Sequence, residues 1–493
     1  MSNEVLLKAD LELLVSRMRW PIPAVRWWVI QELAGLLVHK DFTTQLESAL
    51  FRELEGCMLE SEVVEWLFVF WVASRGGYKP NAELWKYIKA RSALSTLILE
   101  DLGLHGTSEG AFSGLPLQVG AGYTASDDFQ REQGRMVPKI FHTLCVSLEE
   151  KSGLPFPAQY AFEWERTASA SAAVGGSDIG YFYGRPVEDM HGQFVTSQTL
   201  RGRSAYLRTL NVGQEIWRAP AGIMAEYALV ALPLDPTLAR LRPHRPEWIP
   251  SLPGESPTDA NALESHVLNV LSKLKEHEPG SLFMSFSEPL RVIENEVIDL
   301  EVIAWAQWEE RQVDSNALLK ETATRQETRS HGWVEALKFD ESMVTPAQEL
   351  KHLMDDAMMA APCAGEVGMW RRGYLHSDLY SRGIVMPYST VAANEVVARP
   401  NGGELEFTIA STEVGRWFYW NVDWTTYYHQ KTRAHVGAAL LGSRSAMSLL
   451  WESCPVRFFY LWRCTRLSRK QSYEHFSSDE VSGVIIDEMS TTL

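Results

Sequence analysis

A helical pattern that returns within the first hundred residues sets the strongest limit on architecture. In AVRWWVIQELAGLLVH, which follows Pro23, residues Val25, Trp28, Val29, Leu33 and Leu36 recur at helical spacing, with Arg26 and Glu32 among the polar positions. The later run SEVVEWLFVFWVAS repeats it: Val63 falls on Val25, Trp66 on Trp28 and Leu67 on Val29, an offset of 38 residues (28 to 66). A helix precedes each copy. The first carries Leu6, Leu11, Leu13, Leu14 and Met18 and is stopped by Pro21 and Pro23; the second runs through TQLESALFRELEGC. A hairpin written twice at this period cannot bury its apolar faces alone and stacks on the next one.

In its proline-opened helix and its period, the segment resembles HEAT-type repeats over roughly the first hundred residues. An ordinary helical bundle fits the same pattern. The run from Asn81 to Leu102 reads as one more helix, so residues 1–104 form a helical-repeat-like or bundle module. Such modules present long surfaces to other proteins. The tryptophans of the two matching helices, Trp27, Trp28, Trp66 and Trp71, are therefore the candidates for partner contact, although core packing accounts for most of the 18 tryptophans in the chain.

Beyond residue 104 the texture changes. Residues 105–134 are rich in glycine, serine and acids and read as a surface loop, and Met136 to Glu150 reads as a helix. PAQYAFEWER alternates Tyr160, Phe162 and Trp164 and reads as a strand; IGYFYG reads as a second. SAYLRTL suggests a short helix, and Pro220 opens another that ends at Pro233. Five prolines between 242 and 257 (Pro243, Pro246, Pro250, Pro253 and Pro257) favour extended chain and mark a linker. The central α+β region is thus 105–241, and 258–485 is a second α+β domain that is β-rich towards its C-terminus.

That second domain opens on an amphipathic helix with Leu263, Val267, Val270, Leu271 and Leu274 on one face. Strand-like runs SLFMSF and NEVIDLEVIAWAQW follow, then a helix near Gln348 to Met359. ELEFTIAS, GRWFYWNVDW, AHVGAALLG, SAMSLLWE and VRFFYLWRCTRL are aromatic and β-branched or alternating, with Asn401-Gly402 as a turn signal, and residues 486–493 read as a tail. The fold class is multidomain α+β.

With 493 residues the chain exceeds what one core supports. A formal charge of −17 disfavours nucleic-acid binding by the whole surface, because a duplex must be met by a positive field. Local basic clusters remain open to it. The cysteines Cys57, Cys145, Cys363, Cys454 and Cys464 are scattered, without a C-x-x-C pair, which predicts reduced, mostly buried thiols in a cytoplasmic protein. The N-terminus interrupts its apolar residues with charges and reads as neither signal peptide nor anchor, and no window of about 18 apolar residues suggests a membrane span.

Residues 181–220 bring acid, imidazole and guanidinium groups closest together. Glu188, Asp189 and His191 offer an acid–base pair or metal ligands, against the simpler account of a solvated loop. His376 and Asp378 lie two apart beside Arg371 and Arg372, on one side of an expected strand. Asp423, His429 and His435 fit no zinc spacing, and Asp299 and Glu301 share a strand face without the lysine of a nuclease motif, since Ile303 stands there. No metal site is assigned and no cofactor is identified. Arg201, Arg203 and Arg208 are the anion-binding candidates, and Arg463, Arg466, Arg469 and Lys470 form a second basic cluster.

No coherent catalytic motif emerges. The leading expectation is a cytoplasmic scaffold or subunit of a larger assembly that binds a protein partner through its helical module. A metal-dependent hydrolase or nuclease using Asp189 and His191 or His376 and Asp378 is the alternative. A nucleotide or nucleic-acid sensor using the arginine-rich segment is a third.

Overall fold

The computed structural model describes, apart from gaps of a few residues, 3–104, 117–170, 197–308 and 331–486 less 335–341, 346–359, 376–383, 388–395, 422–435 and 446–455. The chain has a multidomain α+β layout, with helices in its N-terminal part and an antiparallel sheet in its C-terminal part. It divides into two compact units, Met1–Asp235 with Arg372–Leu379, and Pro236–Arg371 with Tyr380–Leu493.

The first unit begins with α1 (Asn3–Ser16), α2 (Pro23–Val38), α3 (Thr43–Gly56) and α4 (Glu60–Arg75). Proline at the start of α2 lacks only an N–H that a first turn leaves unbonded. Helices α1 and α3 are each 14 residues long and α2 and α4 each 16, and α1 packs on α3 while α2 packs on α4. The buried face of α2 holds Arg26, Trp27, Val29, Ile30, Leu33, Ala34 and Leu37, whereas Trp28 faces solvent. Of the expected stripe, Val29 and Leu33 are buried and Trp28 is the exposed exception, and a shift of 39 residues sets buried Trp27 on buried Trp66. Adjacent tryptophans in α2 left the phase ambiguous, and α4 is buried nearly all round, so its pattern marks no single face.

The single helix expected over Asn81 to Leu102 is instead a 3-10 turn at Leu84–Tyr87, an extended Ile88 and α5 (Ala93–Asp101). Ser92 starts α5 by accepting the Ser95 N–H on its hydroxyl, which favours a new helix start over a continuous one. Helix α6 (Asp127–Gln133) interrupts the loop expected over 105–134, and α7 (Lys139–Ser152) follows as anticipated.

PAQYAFEWER is not a strand but the body of α8 (Phe156–Arg166). Phe156, Gln159, Tyr160, Glu163 and Trp164 are buried along one helical stripe, and only Phe162 had to be left out of it for the alternation to vanish. The short helix expected at SAYLRTL is part of the 19-residue α9 (Ser197–Glu215), followed by α10 (Ala221–Ala228) with Pro220 as its cap. Helix α4 lies at the centre of the unit, touching α2, α3, α5 and α9. The strand expected at IGYFYG lies outside the described residues.

The second unit starts with α11 (Ala260–His277), capped by the Asp259 carboxylate on the Ala262 N–H. Its long strands are β1 (Ser281–Ile293) and β2 (Glu296–Trp308); short ones follow as β3 (His331–Val334), β4 (Ser342–Thr345), β5 (Ala360–Pro362), β6 (Ala364–Gly368), β7 (Trp370–Arg371), β8 (Tyr374–Leu375) and β9 (Ile384–Pro387). The set ends with β10 (Val396–Asn401), β11 (Glu404–Ile409), β12 (Thr412–Asn421), β13 (Val436–Ser443), β14 (Val456–Ser468) and β15 (Ser477–Ile485). The helix expected near Gln348 to Met359 and most of SAMSLLWE lie outside the described residues.

The main order is β15-β14-β2-β1-β13-β12-β11-β10, antiparallel throughout, continuing through β4, β3, β6 and β9. Pro289, unable to donate to a ladder, sits at a break in the β1/β2 register. One row crosses six strands as Leu461, Ile303, Ser285, Leu440, Trp417 and Leu405; the adjacent row, on the other face, holds Trp462, Val302, Phe286, Ala439 and Phe418. All of these side chains are buried. Helix α11 packs on β1, β14 and β15, and Trp248 meets Phe418 edge-on from the proline-containing segment.

Candidate functional site

The catalytic candidates Asp189, His191, His376 and Asp378 lie outside the described residues, as do Asp423, His429 and His435. Among the described residues no three His, Cys, Asp or Glu side chains are grouped to hold a metal ion.

The anion-binding candidates are placed, and they point inward. Arg203 and Arg208 project from α9 towards α4. Arg208 Nε lies 2.8 Å from both carboxylate oxygens of Glu60, and Arg203 Nη1 lies 3.7 Å from Glu65. Glu65 is also ion-paired with Arg26 of α2. Between these pairs Ser61 and Ser204 close a hydroxyl pair at 2.9 Å, and Ser61 Oγ donates to the Leu200 carbonyl. Arg201 turns to α8: its Nε donates to the Trp164 carbonyl at 2.7 Å, and its guanidinium stacks 3.5 Å from the indole centroid. Four helices, α2, α4, α8 and α9, are thereby joined by mostly buried polar contacts.

Arg203 and Glu65 are only 2% and 5% exposed, so the cost of desolvation governs their chemistry. Burial pushes the Glu65 carboxyl above the usual range, against the pull of Arg26 and Arg203. The Glu60 carboxyl is raised in the same way, opposed by Arg208. Glu163, bonded to Arg166 at 2.8 Å and to Gln159 at 3.0 Å, is raised by burial as well. Each guanidinium that sequence reasoning offered to an anion therefore faces an internal acceptor. The signal that could have located the acceptors is the placement of Glu60 and Glu65 within an otherwise apolar helix.

The second basic cluster is arranged on the sheet. Arg463 bonds Glu301 at 2.6 Å on the neighbouring strand, Arg466 bonds Glu296 at 2.7 Å, and the Arg469 guanidinium lies 4.7 Å from the Phe476 ring. Glu301 is thus one half of a cross-strand ion pair. Burial raises the Cys57 and Cys145 thiols far above the ordinary range and lifts Cys464 to about 11, so these three are inert as thiolates at neutral pH.

Of the four tryptophans proposed for partner contact, Trp27, Trp66 and Trp71 belong to the core, and Trp71 donates its indole N–H to Asp101 at 2.7 Å. Trp28 alone is at the surface, 40% exposed. It has company that the helical pattern did not indicate. Leu13, Trp20, Val38 and Met58 are exposed too, so five of the eleven large apolar side chains exposed among the described residues fall within Leu13–Met58. Scattered single apolar residues are ordinary, and two of these five are tryptophans, the residue type most enriched at interface hot spots.

No protein-family model matches the chain, and no curated protein sequence matches it. Among the described residues no helix is long and apolar enough to cross a membrane.

Proposed function

We propose that this protein is a cytoplasmic interaction scaffold, or a subunit of a larger assembly, whose first hundred residues form a HEAT-like helical-repeat module that binds a protein partner. The observation that carries this reading is the exposure of five large apolar side chains, Trp20 and Trp28 among them, between Leu13 and Met58. The equal lengths of alternate helices, and the packing of α1 on α3 and α2 on α4, support the repeat. Tryptophan is the residue type most enriched among interface hot spots, and truncating one costs at least about 2 kcal/mol, or about 30-fold in affinity. The nucleic-acid reading draws no support from Arg201, Arg203 and Arg208, whose partners are internal.

The test is native isolation of the intact protein from its host, repeated with the Trp20→Ser/Trp28→Ser double variant. A stoichiometric protein partner should accompany the parent chain and be lost from the variant while the melting temperature stays within a few degrees. Recovery of the parent chain alone, or equal recovery of the partner with the variant, would remove the reading.

A further inference from the structure

Strand β15 ends the sheet order, paired on one side with β14 through nine consecutive residues from Ser477 to Ile485. Its other side makes no backbone hydrogen bond among the described residues. In a pleated strand about half of the N–H and C=O groups point to each side, so this edge presents a row of unbonded donors and acceptors. Residues 477–482 are also exposed by their side chains.

Natural sheets guard such edges with proline, lysine, bulges or short length. The register of β14 with β15 has no bulge, and SSDEVSGVI contains neither proline nor lysine. Its only guards are the adjacent acids Asp479 and Glu480, the latter 3.9 Å from Arg463 of β14 yet half exposed, with exposed Val481 beside them. Two adjacent acids repel an acidic strand and attract a basic one, which turns a guard into a selector. The formal charge of −17 also opposes pairing with a second copy. In an antiparallel self-pairing centred on Val481, moreover, Glu480 would lie diagonal to its own copy.

We infer that β15 is a docking edge for a basic, extended segment of a partner protein, which adds to the sheet as a further antiparallel or parallel strand. Backbone groups supply the affinity, and Asp479 and Glu480 supply the choice of partner. This surface belongs to the second unit and does not rest on the helical one.

The experiment uses the full chain and a capped peptide of about nine residues, the length of β15, alternating lysine with valine; a glutamate–valine peptide of equal length is the control. Hydrogen exchange read by mass spectrometry should slow within 477–485 with the lysine peptide only. Affinity should fall about tenfold in the Asp479→Asn/Glu480→Gln variant, and should weaken as salt rises. Val481→Pro and Ser482→Pro give a second arm. The N–H groups of adjacent residues point to opposite sides of a strand, so one variant should abolish peptide binding while keeping the tryptophan fluorescence of the parent. Equal protection by the glutamate peptide, protection elsewhere only, dimerisation through the same amides without peptide, or unchanged binding in both proline variants would overturn the proposal.

Discussion

At the scale of single residues, two glycines do more than their sequence context suggests. Gly437 faces Trp420 across β12 and β13, and Gly483 faces Trp462 across β14 and β15. In each pair the indole lies over the glycine, so that a Cβ on Gly483 would come within 2.5 Å of the Trp462 Nε1, and a Cβ on Gly437 would meet the Trp420 ring more closely still. We expect Gly437→Ala and Gly483→Ala each to destabilise the second unit by about 1–3 kcal/mol, the usual cost of overpacking, since the indole must move off its strand. Urea unfolding followed by tryptophan fluorescence measures this, and a shift below a few tenths of a kcal/mol would mean that the ring relocates freely. Gly437 stands in a run that reads as a strand, whereas Gly483 stands in β15, which the sequence pattern did not indicate, and nothing in AHVGAALLG or SSDEVSGVI names the tryptophan opposite. Pairing register, not local pattern, decides which residue a glycine must accommodate.

At the scale of elements, the contact of α4 with α9 is the informative case. Its arginines were visible as a cluster, and the length of α9 was not, because Arg201, Arg203 and Arg208 obscure an apolar stripe made of Ala205, Tyr206 and Leu210. Removing one partner of a buried ion pair strands the other, at about 3–5 kcal/mol. Glu65→Gln should therefore lower the stability of the first unit by roughly that amount, since Arg26 and Arg203 both lose their carboxylate. The triple replacement Arg26→Met/Glu65→Leu/Arg203→Met should recover most of the loss, because an apolar set of similar volume needs no desolvated charge. Chemical denaturation of both variants checks this. A triple variant as unstable as Glu65→Gln would show that the charges are irreplaceable at this contact. The misreading of α8 belongs to the same scale: Tyr160 and Trp164 satisfy a period of two and a helical i, i+4 spacing alike, and the packing of α7 and α9 on the buried face selects the helix.

At the scale of the whole molecule, His266 in the second unit and the buried acids of α4 and α8 in the first should respond to pH in opposite senses. His266 of α11 is buried against the sheet with neither ring nitrogen hydrogen-bonded, and burial, aided by the Arg245 charge, pushes its pKa down to about 4. The unfolded chain then takes up a proton near pH 6.5 that the folded unit refuses, so stability of the second unit falls as pH drops from about 6.5 to about 4. In the first unit, Glu60, Glu65 and Glu163 are raised above 4.5, so the folded state holds protons more tightly than the unfolded chain. Its contribution is full below pH 4.5 and declines as pH rises through the raised values. Hydrogen exchange at pH 5 and pH 7, corrected for intrinsic rates, should show α11 better protected at pH 7 and α4 better protected at pH 5. His266→Leu should abolish the first trend and, by removing two unsatisfied polar atoms, stabilise the second unit by about 1–3 kcal/mol. Parallel trends in α11 and α4 would refute the assignment.

The amino-acid sequence by itself determined the α+β layout, the first four helices, α7, α11 and the long strands of the second unit. These follow from periodicity and end signals carried within a dozen residues, so no distant contact is needed to read them. What only the tertiary structure decided is which face turns inward and which charges meet. Trp27 and Trp28 are neighbours of one kind, yet one is core and the other surface. Arg208 reads as a free cation until Glu60, 148 residues away, is brought to its guanidinium. Burial and pairing are properties of residues distant in sequence, and folding is what gives them a common address.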